Sequence, residues 1–400
     1  MASNLRVDSI VPSTSGNVSI GTATGGVTIP GDLGIAGVLT YEDVTNVDSI
    51  GVITARDGIR CTGIVTATAF HGDGSSLTGV GASFGNSSVN SSGIATFSAF
   101  VPTSQEALSH RNRIINGAMQ VWQRGTSFNS QGNGQNDYTA DRWAIGHNNS
   151  HMAAVTRATG PSNDFLYCAR IQRDSGNSQT DQMRFHTALE TKDVRSLRNK
   201  ILTISYYARK GANYSEANSK ITGVRIATGE NTDGDPNAYS GGSWTNSTTI
   251  LTGTPTLTTG WQRFTHTTSA VSTSANSMII EFRHTPVGTA GADDYYEITG
   301  IQLEIGSVAT PFEHRTFQEE ELRCQRYFWK YSGSIYGGAY GGTGFCHYSL
   351  PVRMRIKGTL SYSGIRTTSG FYDYSSAQLL QIQMSSTSAY ITNPELDSEL

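Results

Sequence analysis

Apolar and polar residues alternate with a period of two in six separate runs between residues 165 and 306. Alternation of this kind is typical of β-strands that bury one face, and turn-rich loops separate the runs. The pattern predicts a two-sheet jelly roll in the middle of the chain. The six runs are FLYCARIQR (165–173), KILTISYYAR (200–209), SKITGVRIAT (219–228), WQRFTHTTSA (261–270), SMIIEFRHT (277–285) and YYEITGIQLEIG (295–306).

The first hundred residues carry a weak repeat instead of dense alternation. Its unit is a Gly, two small or aliphatic residues and a Thr, and one unit has too few apolar side chains to bury its own stripe. We therefore predict a β-rich shaft over residues 1–80, in which three chains share one thin core. Stacking of successive units within one chain and a flexible linker are the alternatives. The units begin at Gly37, Gly51, Gly63 and Gly93, with a degenerate copy at Gly25.

Two other segments are predicted to connect the β-rich regions. Residues 81–110 are rich in Ser and Asn and are interpreted as a neck or linker between the shaft and the jelly-roll head, residues 111–316. Residues 317–332 (FQEEELRCQRYFWKYS) place Leu322 and Trp329 on one helical face and begin with acidic residues, which suit the positive end of a helix dipole. The pattern predicts a linking helix.

Residues 333–400 predict a second, smaller β module. A loop rich in Gly and aromatic residues (336–348) precedes short runs that we predict to be strands, such as LPVRMRI (350–356) and AQLLQIQMSS (377–386). We interpret this module as the tip domain at the distal end. The fold class is then all-β: an elongated homotrimer with an N-terminal shaft, a central jelly-roll β-sandwich, one linking helix and a small C-terminal β tip domain.

The stretch RNRIINGAMQVWQRGTSF (111–128) marks the change from repeat-like to dense sequence. Ile114 and Ile115 form a short apolar run, Asn116-Gly117 is a turn signal, and a second apolar run follows. Taken alone, this stretch predicts the first hairpin of the globular β domain.

Three motifs in this order resemble the jelly-roll domain of tail-fibre and receptor-binding proteins of tailed bacteriophages. They are residues 111–128, YTADRW (138–143) and ITGIQLEIGSVATPFEHR (298–315). The run GWQRFT (260–265) is similar to a phrase in carbohydrate-binding modules. VDSIGVITARDGI (47–59) and FHGDGSSLTGV (70–80) resemble the shaft of cyanophage and other marine phage fibres.

The resemblance implies partners and a location. In such fibres the shaft is trimeric and its N-terminal end docks on other tail or baseplate proteins of the virion. The C-terminal modules bind polysaccharide or lipopolysaccharide on a bacterial surface. We therefore expect a homotrimer that is assembled in the host cytoplasm and incorporated into the virion tail.

Charge and hydropathy exclude several classes of function. The net charge is −3, the pI is near 6.3 and only 15% of residues are charged, so the basic face that nonspecific nucleic-acid binding needs is missing. No apolar run approaches 18 residues, and the N-terminus has no apolar signal region, so we expect neither membrane insertion nor a signal peptide. The four scattered cysteines predict reduced, buried thiols rather than a zinc site or a disulfide framework.

No catalytic constellation stands out, and the sequence predicts a protein that is not an enzyme and needs no cofactor. The acidic residues cluster at turns (Asp233, Asp235, Asp293, Asp294) or on the helix (Glu319, Glu320, Glu321), where a solvated surface is the simplest interpretation. The segment NTDGDP (231–236) is interpreted as a β-turn, with weak calcium binding near Asp233 and Asp235 left open. The nine His residues lack metal-ligand spacing.

Sugar binding has the most support. Sugars present apolar C–H faces that stack on aromatic rings, and hydroxyls that need small polar partners. Two loops combine both kinds of residue, 235–246 and 336–348, the second backed by residues 372–374. Core packing is an equal alternative for the aromatic pair in the first loop, and it is the expectation for Trp122, Trp143 and Trp261. The candidate glycan contacts are Tyr239, Trp244, Tyr336, Tyr340, Tyr348, Tyr372 and Tyr374.

The sequence therefore favours a phage tail fibre that binds a bacterial surface glycan during host adsorption, without catalysis. A structural collar, whisker or baseplate-adjacent fibre is the alternative, and a glycan-depolymerising tailspike is a weaker one.

Overall fold

The computed structural model describes the chain in two compact units, Met1–Ala95 and Thr96–Leu400. In the first unit every described residue is exposed, and none of them lies in a helix or strand. The predicted shaft stays a prediction, and all but residue 110 of the predicted neck lies outside the described residues. The structure describes residues 29–32, 34, 36, 52, 56, 60–66, 110–129, 136–147, 153–216, 221, 223–236, 244–340, 343–366, 369–385 and 389–400.

Twelve strands and one short helix make up the larger part of the second unit. Each of the six predicted runs contains a strand. In chain order the elements are β1 (Ser127–Phe128), β2 (Asn136–Tyr138), β3 (Ala144–His147), β4 (Ala153–Ser162), β5 (Phe165–Arg173), β6 (Met183–Leu189), α1 (Thr191–Arg195), β7 (Leu202–Lys210), β8 (Gly223–Gly229), β9 (Thr248–Gly253), β10 (Gln262–Thr267), β11 (Ser277–His284) and β12 (Tyr295–Ile305).

These strands form two six-stranded sheets that enclose one hydrophobic core. The first sheet has the order β1-β4-β5-β12-β7-β10, and the second has the order β2-β3-β6-β11-β8-β9. Alternate residues along each strand point inward, as the period of two requires. Trp143 is fully buried in this core and stacks on Phe185, with 4.9 Å between the ring centroids. The predicted all-β sandwich is therefore present.

The predicted hairpin at residues 111–128 is absent from the described structure. Residues 110–126 contain no strand, and the first strand begins only at Ser127. Some of the backbone groups that a hairpin would pair are bound by side chains, and others by the backbone of β12, as in the bond from Arg113 N to Leu303 O at 2.8 Å. The Asn112 carboxamide, for example, accepts from Ile114 N at 2.9 Å and Leu303 N at 3.1 Å. The apolar run marked buried residues correctly, but the segment wraps over the end of the sandwich.

Asn116 is the centre of this wrapped segment. Its buried carboxamide donates to the carbonyls of Val121 (2.8 Å) and Asp141 (3.0 Å) and accepts from the amides of Gln120 (2.9 Å) and Val121 (3.0 Å). All of its hydrogen-bonding capacity is therefore used. The Asn116 carbonyl also accepts from the Trp143 indole at 3.3 Å, which ties the first sequence motif to the second.

Arg315 ties the third motif to the same segment. Its guanidinium is 5% exposed and donates to the backbone carbonyls of Asn112 and Ile114. It also pairs with Glu320 at 3.2 Å, and Glu320 accepts in turn from the Asn116 amide. The three motifs thus share one buried hydrogen-bond network, although Arg315 of the third motif lies 201 residues after Ile114 of the first.

The helix α2 is shorter than predicted and runs over Phe317–Gln325 instead of 317–332. Its N-cap is Thr316, whose side chain accepts from the Glu319 amide at 3.2 Å. A turn after Cys324 ends the helix, and β13 (Phe328–Lys330) then pairs with a strand near the end of the chain. Cross-strand pairing and burial of Phe328 and Trp329 override the helical spacing of these residues.

Two further sheets follow the helix. A three-stranded sheet has the order β13-β21-β16, and a six-stranded sheet has the order β17-β20-β14-β15-β19-β18. The predicted run LPVRMRI (350–356) contains no strand. The new strands are β14 (Ser334–Tyr340), β15 (Thr343–Ser349), β16 (Thr359–Ser361), β17 (Gly364–Arg366), β18 (Ser369–Asp373), β19 (Leu379–Ser385), β20 (Ala389–Thr392) and β21 (Glu395–Asp397).

Buried ion pairs hold this C-terminal part to the sandwich. Arg142 pairs with Glu399 and lies over the Tyr327 ring at 3.6 Å. Arg326 makes a two-pronged contact with Glu190, at 3.0 and 3.1 Å. Residues 333–400 are therefore fastened to the sandwich by charged side chains as well as by the predicted helix. Removing either partner of such a pair would strongly destabilise the fold, because the other partner would be left as a buried, uncompensated charge.

Three of the four free cysteines are buried, as predicted, whereas Cys61 is exposed. Among the described residues, no helix has the length and hydropathy needed to cross a bilayer.

We predict that replacing Asn116 destabilises the whole second unit. Asn116 has a positive φ of 57°, which Gly accepts without steric strain. N116G removes the hydrogen bonds and makes the unfolded chain more flexible, and it is expected to lower the free energy of unfolding by about 3 kcal/mol. N116A adds the strain of this backbone conformation, about 1 kcal/mol more. Urea unfolding followed by tryptophan fluorescence measures both, and changes below about 1 kcal/mol would contradict the role of Asn116.

We also predict a specific acid sensitivity at Glu190. Burial raises the pKa of this carboxyl, but hydrogen bonds from Arg326, Tyr327 and Lys192 outweigh burial and lower the pKa to about 2. A lowered pKa stabilises the fold at neutral pH, and that contribution disappears as the pH falls from about 4.5 towards 2. Between about pH 5 and pH 2.5, wild-type protein should lose about 2 kcal/mol more than E190Q does. Equal losses in urea titrations at the two pH values would refute this assignment.

Candidate functional site

The six-stranded C-terminal sheet buries one face and leaves the other open. Ile335, Cys346, Ile382 and Ile391 belong to a small core on the inner face. Because side chains alternate along a strand, their neighbours in sequence lie on the outer face. The outer face is therefore defined by sequence position and by the pairing of the strands.

We call this outer surface the aromatic face. The register places Tyr336 opposite Tyr390, Phe345 opposite Gln383, and Gln383 opposite Tyr372. With strands about 4.8 Å apart, five neighbouring strands extend over about 19 Å. The aromatic face consists of Tyr336, Phe345, His347, Tyr372, Tyr374, Gln381, Gln383 and Tyr390.

The rings of the aromatic face are grouped in pairs. Tyr336 and Tyr390 have centroids 5.8 Å apart, and Tyr372 and Tyr374 have centroids 6.3 Å apart. Tyr336 is 76% exposed, and Tyr372 and Tyr374 are each 53% exposed. Tyrosines this exposed make few contacts with the protein, so they leave ring surface available for a ligand.

Asp373 fixes the second pair of rings. Its carboxylate accepts from the Ser375 amide at 2.7 Å and pairs with Lys357 at 3.2 Å. Burial raises the pKa of Asp373, but the hydrogen bonds from Ser375 and the charge of Lys357 outweigh burial and hold the pKa below its ordinary value. The charged carboxylate therefore orders the backbone between Tyr372 and Tyr374.

Gly338 leaves an open floor between the rings. It pairs with Phe345 and lies two residues after Tyr336, and a Cβ atom built on it meets nothing within 4 Å. A planar ligand can therefore approach the sheet backbone between two aromatic side chains. The arrangement combines flat rings with the amides of Gln381 and Gln383, and amides both donate and accept hydrogen bonds.

The structure removes two predicted residues from the set of glycan contacts. Trp244 is 4% exposed, packs against Ala227 and Ile279, and donates its indole N–H to the Asp235 carbonyl at 2.8 Å. Tyr348 lies on the inner face, where its ring is 5.1 Å from that of Trp329. In each case the ring is covered by core packing, which the surrounding Gly and polar residues of the sequence concealed.

Tyr336, Tyr372 and Tyr374 are brought together on one surface. The predicted contact Tyr239 lies outside the described residues, and so does the side chain of Tyr340. Sequence reasoning missed Phe345, His347, Gln381, Gln383 and Tyr390. The signal that could have found them was the strand period, because each is adjacent in sequence to an apolar residue of the inner face.

The tryptophans expected in the core differ in burial. Trp143 is fully buried and Trp122 is 8% exposed. Trp261 is only half-buried, and the Arg209 guanidinium lies 5.2 Å from its ring centroid. Trp261 directly precedes β10 at the edge of the first sheet, where one side of the ring stays open.

Two acidic residues predicted to be solvated are buried instead. Asp294 is fully buried and pairs with Arg173 at 2.9 Å, and Glu320 is 7% exposed. Asp233 accepts from the Thr191 amide at 2.8 Å, so its carboxylate orders a turn. Within the described parts of the chain, no group of three or more His, Cys, Asp or Glu residues lies close enough to hold a metal ion.

The sequence matches no protein-family model. No curated protein is similar enough to it to count as a match.

Some solved structures are similar to part of this chain, at low identity and with low TM-scores. The enzymatically active domain of tailspike protein 4 of bacteriophage CBA120 is 10% identical over 49% of this chain, with a TM-score of 0.31, and the match spans only 21% of that chain. The CBM22-1 xylan-binding domain from Paenibacillus barcinonensis is 12% identical, with 46% of this chain and 94% of that domain covered and a TM-score of 0.27. A family 22 carbohydrate-binding module from Clostridium thermocellum is 14% identical, with coverages of 44% and 98% and a TM-score of 0.28.

We predict that Trp244 stabilises the fold and contacts no glycan. Its ring fills the space above Gly229 and Gly234, where a Cβ atom would come within 2.9 Å of it. W244A should lower the free energy of unfolding by about 3–4 kcal/mol because it opens a cavity. Retention of the folded variant on glycan should equal that of wild type in a pull-down at low temperature. Loss of glycan binding in folded W244A protein would contradict this prediction and would show that Trp244 belongs to the binding site.

Proposed function

We propose that this protein is a homotrimeric tail fibre of a tailed bacteriophage that binds a polysaccharide or lipopolysaccharide on a bacterial surface without cleaving it. The N-terminal region docks on other virion proteins, and the second unit carries the glycan site. The virion assignment is supported by the three motifs that resemble fibre proteins and that meet in one network around Asn116.

The aromatic face is the observation that carries the glycan-binding proposal. Exposed rings on the surface of a sheet offer apolar area for the C–H face of a pyranose, at a small cost in conformational entropy. Gln381 and Gln383 lie between the ring pairs and supply hydrogen-bond partners for hydroxyls. A surface about 19 Å long suits an extended chain of sugars better than a single small molecule.

Trimerisation would multiply weak sites. A flat, open site holds a sugar only weakly, because few ligand atoms are desolvated there. Three copies on one rigid fibre raise the overall avidity by making the second and third contacts intramolecular. The proposal therefore predicts strong retention on polymeric glycan and weak binding of a free oligosaccharide.

Absence of catalysis belongs to the proposal as well. Glycoside hydrolysis uses two carboxyl groups that flank the scissile bond. The aromatic face is built from tyrosine, phenylalanine, histidine and glutamine side chains, and the nearby Asp373 is held by Ser375 and Lys357. These contacts give Asp373 a structural task in the turn.

We predict that truncating two rings of the aromatic face abolishes retention on glycan. Y336A/Y372A removes one exposed ring from each pair and should leave the urea midpoint unchanged, since both rings are more than half exposed. Retention on host envelope polysaccharide or lipopolysaccharide should fall at least tenfold. Y362A is the matched control, because Tyr362 is 40% exposed and lies outside the aromatic face.

Each rival function has its own outcome in this experiment. Unchanged retention by the folded Y336A/Y372A trimer would move the site elsewhere. No retention of intact wild-type trimers on any host surface, with the tip in contact with another virion protein, would favour a structural collar or whisker. Release of new reducing ends from the polysaccharide would favour a depolymerising spike.

A further inference from the structure

A cleft of 580 Å³ opens at the junction of the wrapped segment, the first sheet and helix α2. The cleft and the aromatic face have no residue in common. In sequence, every residue of the aromatic face except Tyr336 lies more than 20 positions from the nearest cleft residue. Its volume lies within the range of small-molecule sites, roughly 300–1,000 Å³. The residues that matter here are Gln120, Trp122, Arg157, Tyr167, Phe317 and Glu321.

Aromatic rings form the walls of the cleft. The Trp122 indole donates its N–H to the Met119 carbonyl at 2.7 Å, which fixes the ring orientation. Phe317, the first residue of α2, is 55% exposed although it is among the most apolar side chains of the helix. An exposed ring beside a fixed tryptophan offers stacking surface to a ligand that enters the cleft.

Three polar side chains in the cleft lack polar partners. Among the described residues, the Arg157 guanidinium has no ion pair and lies 4.4 Å from the Tyr167 ring centroid. Glu321 has no basic partner among the described residues either, although its neighbours Glu319 and Glu320 pair with arginines at 2.9 and 3.2 Å.

Arg157 and Glu321 therefore line one cleft without neutralising each other. The third side chain is Gln120: its backbone amide is bound by Asn116, and its carboxamide has no partner within the described structure.

The chemistry of these groups restricts the ligand. A carboxylate or phosphate would be attracted by Arg157 but repelled by Glu321, and a simple cation would meet the reverse. Hydroxyl groups can accept from a guanidinium and donate to a carboxylate, so a polyhydroxyl ligand satisfies Arg157, Glu321 and Gln120 together. Its C–H face can at the same time cover the exposed ring of Phe317, while Trp122, which is 8% exposed, offers only a small part of its ring.

We propose that this cleft is a second carbohydrate subsite, which binds a single neutral pyranose unit. Arg157 and Glu321 share its hydroxyls, and the aromatic walls cover its apolar face. The inference rests on the proposed function for the class of ligand, but it concerns a different surface. The cleft would select one kind of sugar, whereas the aromatic face would hold the extended chain.

The test uses the full chain with the aromatic face removed. Y336A/Y372A protein is titrated with the methyl pyranosides of glucose, galactose, mannose and N-acetylglucosamine, and with the zwitterion glycine betaine, by ligand-observed NMR. At least one pyranoside should bind with a Kd on the order of 1 mM. R157Q and E321Q in the same background should each weaken it at least tenfold. E319Q, on the same helix but outside the cleft, should not change it.

Several results would overturn the cleft proposal. The first is that no pyranoside binds to folded Y336A/Y372A protein. The second is that R157Q and E321Q both leave the affinity unchanged. The third is that betaine binds whereas no pyranoside does. If the cleft proposal fails, wild-type protein should still be retained on polysaccharide. This outcome is therefore distinct from a failure of the proposed function. Conversely, cleft-dependent binding of a pyranoside stands even if the aromatic face proves inert.

Discussion

One saturated carboxamide holds the larger unit together. Asn116 makes four side-chain hydrogen bonds in a buried site, and its backbone bonds Trp143 and Glu320. An unsatisfied polar group at such a site would cancel a substantial part of the net free energy of unfolding of a domain. The segment before the sandwich, the YTADRW turn and the start of α2 therefore take one arrangement relative to each other. Both the cleft and the attachment of the C-terminal sheets depend on it.

Period-two alternation predicted six of the twelve sandwich strands, namely β5, β7, β8, β10, β11 and β12. It did not reveal β4, whose inward positions hold small residues, or the wrapped segment at 111–126, where side-chain amides replace strand partners. The end of α2 was missed because Leu322 and Trp329 have helical spacing, whereas Trp329 pairs with Leu396 of β21. Such outcomes depend on tertiary partners far away in the sequence, which local patterns do not contain.

The residues of the aromatic face were only partly visible in the sequence for the same reason. Tyr336, Tyr372 and Tyr374 were found because tyrosines among glycines have little to pack on. Trp244 has the same kind of neighbours in sequence, yet two other glycines earlier in the chain, Gly229 and Gly234, provide the space that buries its ring. Glycine next to an aromatic residue thus has two opposite meanings, and only the register of the strands separates them. The cleft joins residues from four distant segments, so no window of sequence could show it.

The proposed function requires the outer face of the C-terminal sheet to bind sugars. A crystal or cryo-EM structure of the trimer with oligosaccharides cut from the polysaccharide that retains it tests this most directly. The account predicts pyranose rings stacked on Tyr336 and on the Tyr372–Tyr374 pair, with hydroxyls bonded to Gln381 and Gln383. Sugar density elsewhere, with the aromatic face empty or buried against another copy of the chain, would contradict it.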